Sequence, residues 1–328
     1  MMLPQTMTAI SITRPGGPEV LQATTRPVPQ PGDRQVLIKV AYAGINRHDC
    51  GQRNRGTPPA GATDIPGLEV AGVVAAVGAG VTRWKPGDRA CALTNGGGYA
   101  EYCIAEEPVT LPIPNGFDLK LAAGLPEGLL TAWLNVFMLG RLKRGEWLLV
   151  HGGSSGVGTL AIQLARLEGA KVLATVGNAA KADACRKLGA TAINYREQDF
   201  VAETMQATGK HGADAILDMA GTTYAKRNLE ALAMDGRIVH LSGSGGDYSV
   251  PLASIMAKRA VITGSLLRGS ALSLKTEIVR QVTERVWPHL GAKVTPIIDS
   301  VFPLASAADA HARMESSVHI GKILLEVM

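Results

Sequence analysis

Residues 148–165 read LLVHGGSSGVGTLAIQLA, and this stretch decides the fold. An apolar run breaks into glycine and serine, and apolar residues then resume at helical spacing: strand, tight turn, helix. Gly153, Gly156 and Gly158 fall within the turn. A helix starting there leaves backbone N–H groups without intrahelical partners, so its N-terminus favours an anion. Glycine also lets the backbone approach a pyrophosphate and lets the helix pack closely on the strand. The strict G-x-G-x-x-G spacing is not met, because Ser155 stands at the second glycine position. Taken alone, the turn is equally compatible with a purely structural role.

The residues downstream favour a ligand. In an NAD site an acidic residue near the end of the second strand takes the ribose 2′-hydroxyl. Here that strand, KVLATVGNAAK, ends without a carboxylate; Thr175, Gly177 and Asn178 are followed by Lys181. A lysine offers a point charge to a 2′-phosphate, and Tyr195 and Arg196 could close the other side of that pocket. Singly, Lys181 also reads as a solvated lysine early in a helix and Tyr195 as a half-buried ring at a strand end. Together with the glycine turn they point to NADP rather than NAD. A second turn, LSGSGG from Leu241, follows the strand-like RIVH. Ligands of doubly wound sheets bind at the carboxyl ends of strands, which makes Ser242 and Gly243 candidates on the nicotinamide side. An ordinary strand-to-helix loop remains open as the other reading.

Outward from this core the chain falls into three parts. The first third is β-rich: QVLIKVAYAGI, EVAGVVAAVGAGV and DRACALT are punctuated by PGG, PGD and KPGDR turns. PEGLLTAWLNVFMLG then has helical spacing. After it, WLLV, KVLATV, AINY, ADAILDMA, GRIVHLSG and AVITGSLL alternate with helical segments, as βαβ units of a parallel sheet do. The end, ALSLKTEIVRQVTERVW, SAADAHARMES and KILLEV, reads as two helices and a short strand returning to the first domain.

Composition bounds the function classes. Of 328 residues, 46% are hydrophobic and 19% charged, enough for a large core. The net charge of +5 is spread along the chain without a basic block, which argues against a nucleic-acid surface. Cys50, Cys91, Cys103 and Cys185 show no CxxC spacing, which fits a reducing compartment. The N-terminal residues have no secretory pattern, and no apolar run is long enough to span a bilayer. The expectation is a soluble, cytoplasmic protein.

NRHDCGQR, DIPGLEVAGVVAAVG, RWKPGDRACAL, GGGYAEYC, PEGLLTAW, HGGSSGVGTLAIQLA, NYREQDF and GRIVHLSG follow one another in order. Together they resemble the zinc-free quinone oxidoreductases of the medium-chain dehydrogenase/reductase superfamily, nearest the p53-induced branch, with zeta-crystallin a more distant relative. The resemblance implies an α/β protein: a GroES-like β-rich catalytic domain (1–127), a doubly wound Rossmann domain that binds NADPH (128–270), and a C-terminal segment (271–328) returning to the catalytic domain. It implies reduction of quinones or related conjugated carbonyls, and a homodimer formed through the Rossmann edge strand AVITGSLL. It carries Asn46 and Asp49 over as catalytic residues near the nicotinamide. Gly153, Ser154, Ser155, Gly156, Val157 and Gly158 become the pyrophosphate turn. Lys181 and Tyr195 become the 2′-phosphate contacts beside Thr175 and Gly177 of the same strand end. Ser242, Gly243, Leu266 and Leu267 flank the cofactor on its nicotinamide side, and Lys322 fits the family's tail pattern near the cofactor. Cys50 stands where relatives of the bacterial quinone reductase carry a tyrosine, which leaves the substrate open.

No metal is expected. In the alignment implied by the resemblance, Asn46 replaces a ligand cysteine and Gly67–Glu69 reads GLE rather than GHE. The seven histidines show no ligand spacing and read mostly as surface or loop residues. A quinone or enone can take hydride without a Lewis acid, so the expectation is positioning rather than acid catalysis. Two alternatives stand beside quinone reduction: an enone or alkenal reductase, and a non-catalytic NADPH-binding protein of the zeta-crystallin type.

Overall fold

The computed structural model describes residues 3–59, 61–241 and 246–328. In chain order the elements begin with β1 (Thr6–Ile12), β2 (Leu21–Pro27), β3 (Gln35–Ile45), α1 (Arg47–Arg55), β4 (Glu69–Val77), β5 (Arg89–Leu93), β6 (Tyr102–Glu106), β7 (Thr110–Pro112) and α2 (Leu119–Ala123). An alternating series follows: α3 (Pro126–Trp133), β8 (Trp147–His151), α4 (Gly156–Leu167), β9 (Lys171–Val176), α5 (Ala179–Lys187), β10 (Thr191–Asn194) and α6 (Phe200–Ala207). It continues with β11 (Ala213–Asp218), α7 (Ala225–Ala231), β12 (Leu232–His240), α8 (Leu252–Lys258) and β13 (Val261–Gly264). The tail supplies α9 (Leu272–Arg285), β14 (Ile298–Pro303), α10 (Ala307–Glu315) and β15 (Lys322–Glu326).

Two compact units result. One comprises residues 1–128, 271–291 and 296–328; the other comprises residues 129–270 and 292–295. In the first, a seven-stranded sheet runs β14-β15-β3-β4-β5-β7, with β6 also paired to β3 and β1-β2 forming a separate antiparallel pair. β3 is nearly continuous in apolar residues because it lies inside this sheet, and Val36, Leu37, Ile38 and Val40 have no exposed surface. The last strand runs antiparallel to β3 with Ile323 opposite Ile45. That register sets Lys322 at the level where β3 gives way to α1. Its tight turns follow the Pro-Gly-Asp pattern: Asp88 accepts from the Lys85 N–H, and Gly87 sits at φ +96°.

The second unit is a six-stranded parallel sheet in the order β10-β9-β8-β11-β12-β13. With β8 as the first strand, this is the 3-2-1-4-5-6 order of dinucleotide-binding sheets. One face packs on an apolar layer that includes Leu149, Leu173, Ile216 and Ile238. The helix expected over PEGLLTAWLNVFMLG changes character partway. After Trp133 it widens into a π-helical turn, Leu134–Leu139, closed by the Gly140 N–H on the Asn135 carbonyl at 2.9 Å. Asn135 explains the widening in part: its amide donates to the Thr131 carbonyl and accepts from the Ser265 hydroxyl.

Candidate functional site

The glycine turn is built as its residue types require. Ser155 is the N-cap of α4, and its hydroxyl oxygen accepts the Gly158 N–H at 3.0 Å. The residue that breaks the glycine spacing therefore supplies a helix cap. The first intrahelical bond runs from the Thr159 N–H to the Ser155 carbonyl. This leaves the N–H groups of Gly156 and Val157 as the helix's first unclaimed donors among the described residues. A Cβ on Gly158 would lie 2.4 Å from the Gly152 carbonyl oxygen, and one on Gly153 would lie 2.6 Å from Ala174 Cβ. Both glycines serve close packing of turn, strand and helix, and Ser154 is buried beneath them.

At the end of β9 the structure gathers three of the expected residues. Asn178 caps α5 by accepting the Lys181 N–H, which fixes Lys181 in the first turn. Tyr195 packs its phenol against Gly177, where a Cβ would come within 2.9 Å of the hydroxyl oxygen. Tyr195 is 45% exposed. An accessible phenol and a lysine at an acid-free strand end make a fitting cradle for a phosphate monoester.

Thr175 departs from expectation. It is buried, and its hydroxyl is hydrogen-bonded to His151 Nδ1 at 3.0 Å, so its side chain serves the protein interior rather than a ligand. The leucine pair also divides: Leu266 is 72% exposed, whereas Leu267 is buried in the protein. Ser242 and Gly243 lie outside the described residues.

In the first unit, Asn46, Glu69 and Lys322 form one buried cluster. The Lys322 ammonium is ion-paired with Glu69 and donates to Asn46 Oδ1 at 2.7 Å. Asn46 Nδ2 donates to the same carboxylate at 2.9 Å, and the Glu127 N–H donates to its other oxygen. The amide orientation of Asn46 is thereby set, with its oxygen toward the ammonium and its nitrogen toward the carboxylate. Leu68, not Glu69, occupies the histidine position of GHE, and the pairing of Glu69 with Lys322 has no local signal in the sequence.

Asp49 has no exposed surface. Its carboxylate accepts the backbone N–H groups of Asn46 (2.8 Å) and Gly67 (3.1 Å) and the Tyr99 hydroxyl (3.2 Å). Enclosed in this way, the Asp49 carboxylate fixes the start of α1 and so the position of Asn46, a positioning part rather than the catalytic one expected. The network continues through Tyr99, whose hydroxyl meets His311 Nε2 at 3.0 Å, while Arg53 donates to His311 Nδ1 at 3.2 Å and pairs with Glu315. Because a guanidinium can only donate, His311 carries its proton on Nε2. Burial, assisted by the Arg53 charge, pushes the His311 pKa down to about 3.

The expectation of surface histidines fails for His151, His311 and His319, all of them buried. His151 and His311 are hydrogen-bonding parts of the interior rather than solvated side chains. All four cysteines are buried; burial drives the thiols of Cys50, Cys103 and Cys185 up to about 12. Among the described residues, no group of three or more His, Cys, Asp or Glu is placed to hold a metal ion, and no helix is long and apolar enough to cross a membrane.

Comparison with known proteins fits this architecture. Residues 32–115 match the alcohol dehydrogenase GroES-like domain, and residues 156–285 match the family described as zinc-binding dehydrogenase. The chain is 34% identical over 332 residues to the quinone oxidoreductase of Rattus norvegicus, covering 97% of each chain. The chain belongs to the quinone oxidoreductase family. Among solved structures, the Escherichia coli quinone oxidoreductase complexed with NADPH superposes with a TM-score of 0.87 at 29% identity, covering 98% of this chain and 100% of that one. A mycobacterial protein complexed with NADPH gives 0.88 at 30% identity over the same shares.

Proposed function

We propose that this quinone oxidoreductase-family chain uses NADPH to reduce quinones by hydride transfer, without zinc. The observation that carries the cofactor reading is the capped glycine turn beside an acid-free β9 end bearing Lys181 and Tyr195. The Gly156 and Val157 N–H groups would hold the pyrophosphate, and Lys181 and Tyr195 the 2′-phosphate. When bound, the nicotinamide supplies the hydride. A quinone spreads the incoming charge over its own π-system, so the protein's task is orientation and exclusion of water. Asn46 contributes to that task. Lys322 and Glu69 lock its amide in one orientation. A zinc ion needs several thiolate, imidazole or carboxylate donors; here the one carboxylate of the cluster is already neutralised by an ammonium.

Assembly as a homodimer fits the sheet edge. β13 is the outermost strand of its sheet, and Leu252, Met256 and Val261 lie exposed on or next to it, a surface that a second copy would cover. Substituting Val261→Lys would then shift sedimentation from dimer toward monomer.

The test of the activity is anaerobic oxidation of NADPH against ortho-quinones, para-quinones and enones. Turnover of quinones ahead of enones is expected. Turnover of enones alone would replace quinone reduction by alkenal reduction. Tight NADPH binding with no acceptor reduced would overturn the enzyme reading.

A further inference from the structure

Four polar side chains share one register level at the carboxyl end of the parallel sheet. Thr175 on β9 stands opposite His151 on β8, and Asp218 on β11 stands opposite His240 on β12. Leu217 pairs with Val150, which places Asp218 level with His151. Each of the four lies two residues beyond a member of the apolar layer, Leu173, Leu149, Ile216 or Ile238, and so faces the same side. The row is the polar last rung of that layer.

Its protons can be assigned from the hydrogen bonds. Asn228 Nδ2 donates to Asp218 Oδ2 at 2.9 Å, which leaves Asn228 Oδ1 to accept from His151 Nε2 at 2.8 Å. His151 Nδ1 must then accept the Thr175 hydroxyl. Asp218 also takes the N–H groups of Ala220 and Gly221, and the Nδ1 of His240 lies 3.3 Å from its Oδ2. Burial opposes ionisation of Asp218, yet the His240 contact and these N–H groups hold its carboxyl below the usual range. With Nδ1–H facing the carboxylate, His240 presents a lone pair on Nε2.

That atom is where the row ends. His240 Nε2 is buried and has no hydrogen-bond partner among the described residues, and the same holds for the hydroxyl of Tyr248, whose ring stands edge-on to the imidazole at 4.6 Å. Buried polar atoms are nearly always paired, so an open acceptor at the carboxyl end of a parallel strand points to a ligand.

The order of the strands says which part of the ligand. In the proposed cofactor site, which this inference rests on, the 2′-phosphate and its ribose belong to the end of β9, and the pyrophosphate to the β8–α4 turn. The pyrophosphate lies between the two ribosides, so the nicotinamide riboside falls on the opposite side of β8, over β11 and β12. We propose that His240 Nε2 accepts a hydrogen bond from a donor on the nicotinamide riboside of NADPH, with Asp218 holding the imidazole in the accepting tautomer. The donors available there are the ribose hydroxyls and the carboxamide N–H.

The test is equilibrium titration of the full chain with NADPH, 2′-phospho-ADP-ribose and adenosine 2′,5′-bisphosphate, followed by intrinsic fluorescence. His240→Phe keeps a ring against Tyr248 and removes the acceptor. It is expected to weaken NADPH about tenfold, the scale of one well-made hydrogen bond, and to leave the bisphosphate unchanged. An equal loss for 2′-phospho-ADP-ribose identifies a ribose hydroxyl as the donor, and a loss confined to NADPH identifies the carboxamide. His240→Gln, which restores an acceptor, should recover most of the affinity. Unchanged NADPH affinity in His240→Phe, or loss of the bisphosphate as well, would overturn the assignment while leaving the cofactor reading intact. A native chain that binds none of the three overturns both.

Discussion

Each unit contains a buried polar network, and the two end differently. In the first unit, the Lys322–Glu69–Asn46 cluster and the Asp49–Tyr99–His311–Arg53 chain close on themselves or on Glu315 at the surface. In the second, the row from Thr175 through His151, Asn228 and Asp218 stops at an imidazole nitrogen with no partner among the described residues. A closed network spends its hydrogen bonds on shape: it holds α1, and with it Asn46, in one place. An open one keeps a polar atom in reserve for something that arrives. Burial alone does not distinguish these roles, since Asp49 and Asp218 are equally hidden; the state of the last acceptor does.

The largest expected effect lies in the closed network. Lys322→Met leaves the Glu69 carboxylate buried without its cation, which should cost about 3–5 kcal/mol. The double variant Lys322→Met/Glu69→Gln should recover most of that stability in urea unfolding. A single-variant loss below about 1 kcal/mol would show that the pair is not the anchor described here.

Next comes the pH response of His311. Its folded pKa of about 3 lies below the 6.5 of a free imidazole. The unfolded chain therefore binds more protons between those values, and stability falls as pH drops below 6.5. From pH 7.5 to pH 5 this residue alone should account for about 2 kcal/mol. Comparing unfolding midpoints of the native chain and His311→Gln across that range isolates the contribution. Parallel curves would contradict a neutral, locked imidazole.

In the second unit, Lys181→Ala should weaken NADPH about tenfold while leaving NADH nearly unchanged, the loss of one charge-assisted contact. Equal losses for both cofactors would remove the 2′-phosphate assignment. The smallest effect belongs to the cap: Ser155→Ala should cost about 1 kcal/mol of stability, read from thermal unfolding. A neutral result would mean that the Gly158 N–H finds another acceptor.

The same contrast explains what could be read from sequence. The second unit was legible because its signals are local. Buried parallel strands appear as apolar runs such as WLLV and KVLATV, and helix starts carry their own caps at Ser155, Asn178 and Asp199. The residues of the proposed phosphate cradle are also local in sequence, since Gly177 and Lys181 lie four residues apart at one strand end. The first unit's network was not. Lys322 meets Glu69 across 253 positions and Arg53 meets His311 across 258, joined only by the return of β15 to β3 and the packing of α10. Thr175 and Asp49 had the right residue types for ligand contacts, but their hydroxyl and carboxylate are committed to His151 and to the α1 backbone.

The chain moves hydride from NADPH to a quinone. The most direct measurement mixes equimolar NADPH and a para-quinone with the protein under anaerobic conditions and follows both by absorbance. One hydroquinone formed for each NADPH oxidised, at a rate proportional to the protein added, is the predicted result. NADPH that binds but stays reduced beside an unreduced quinone would contradict the account.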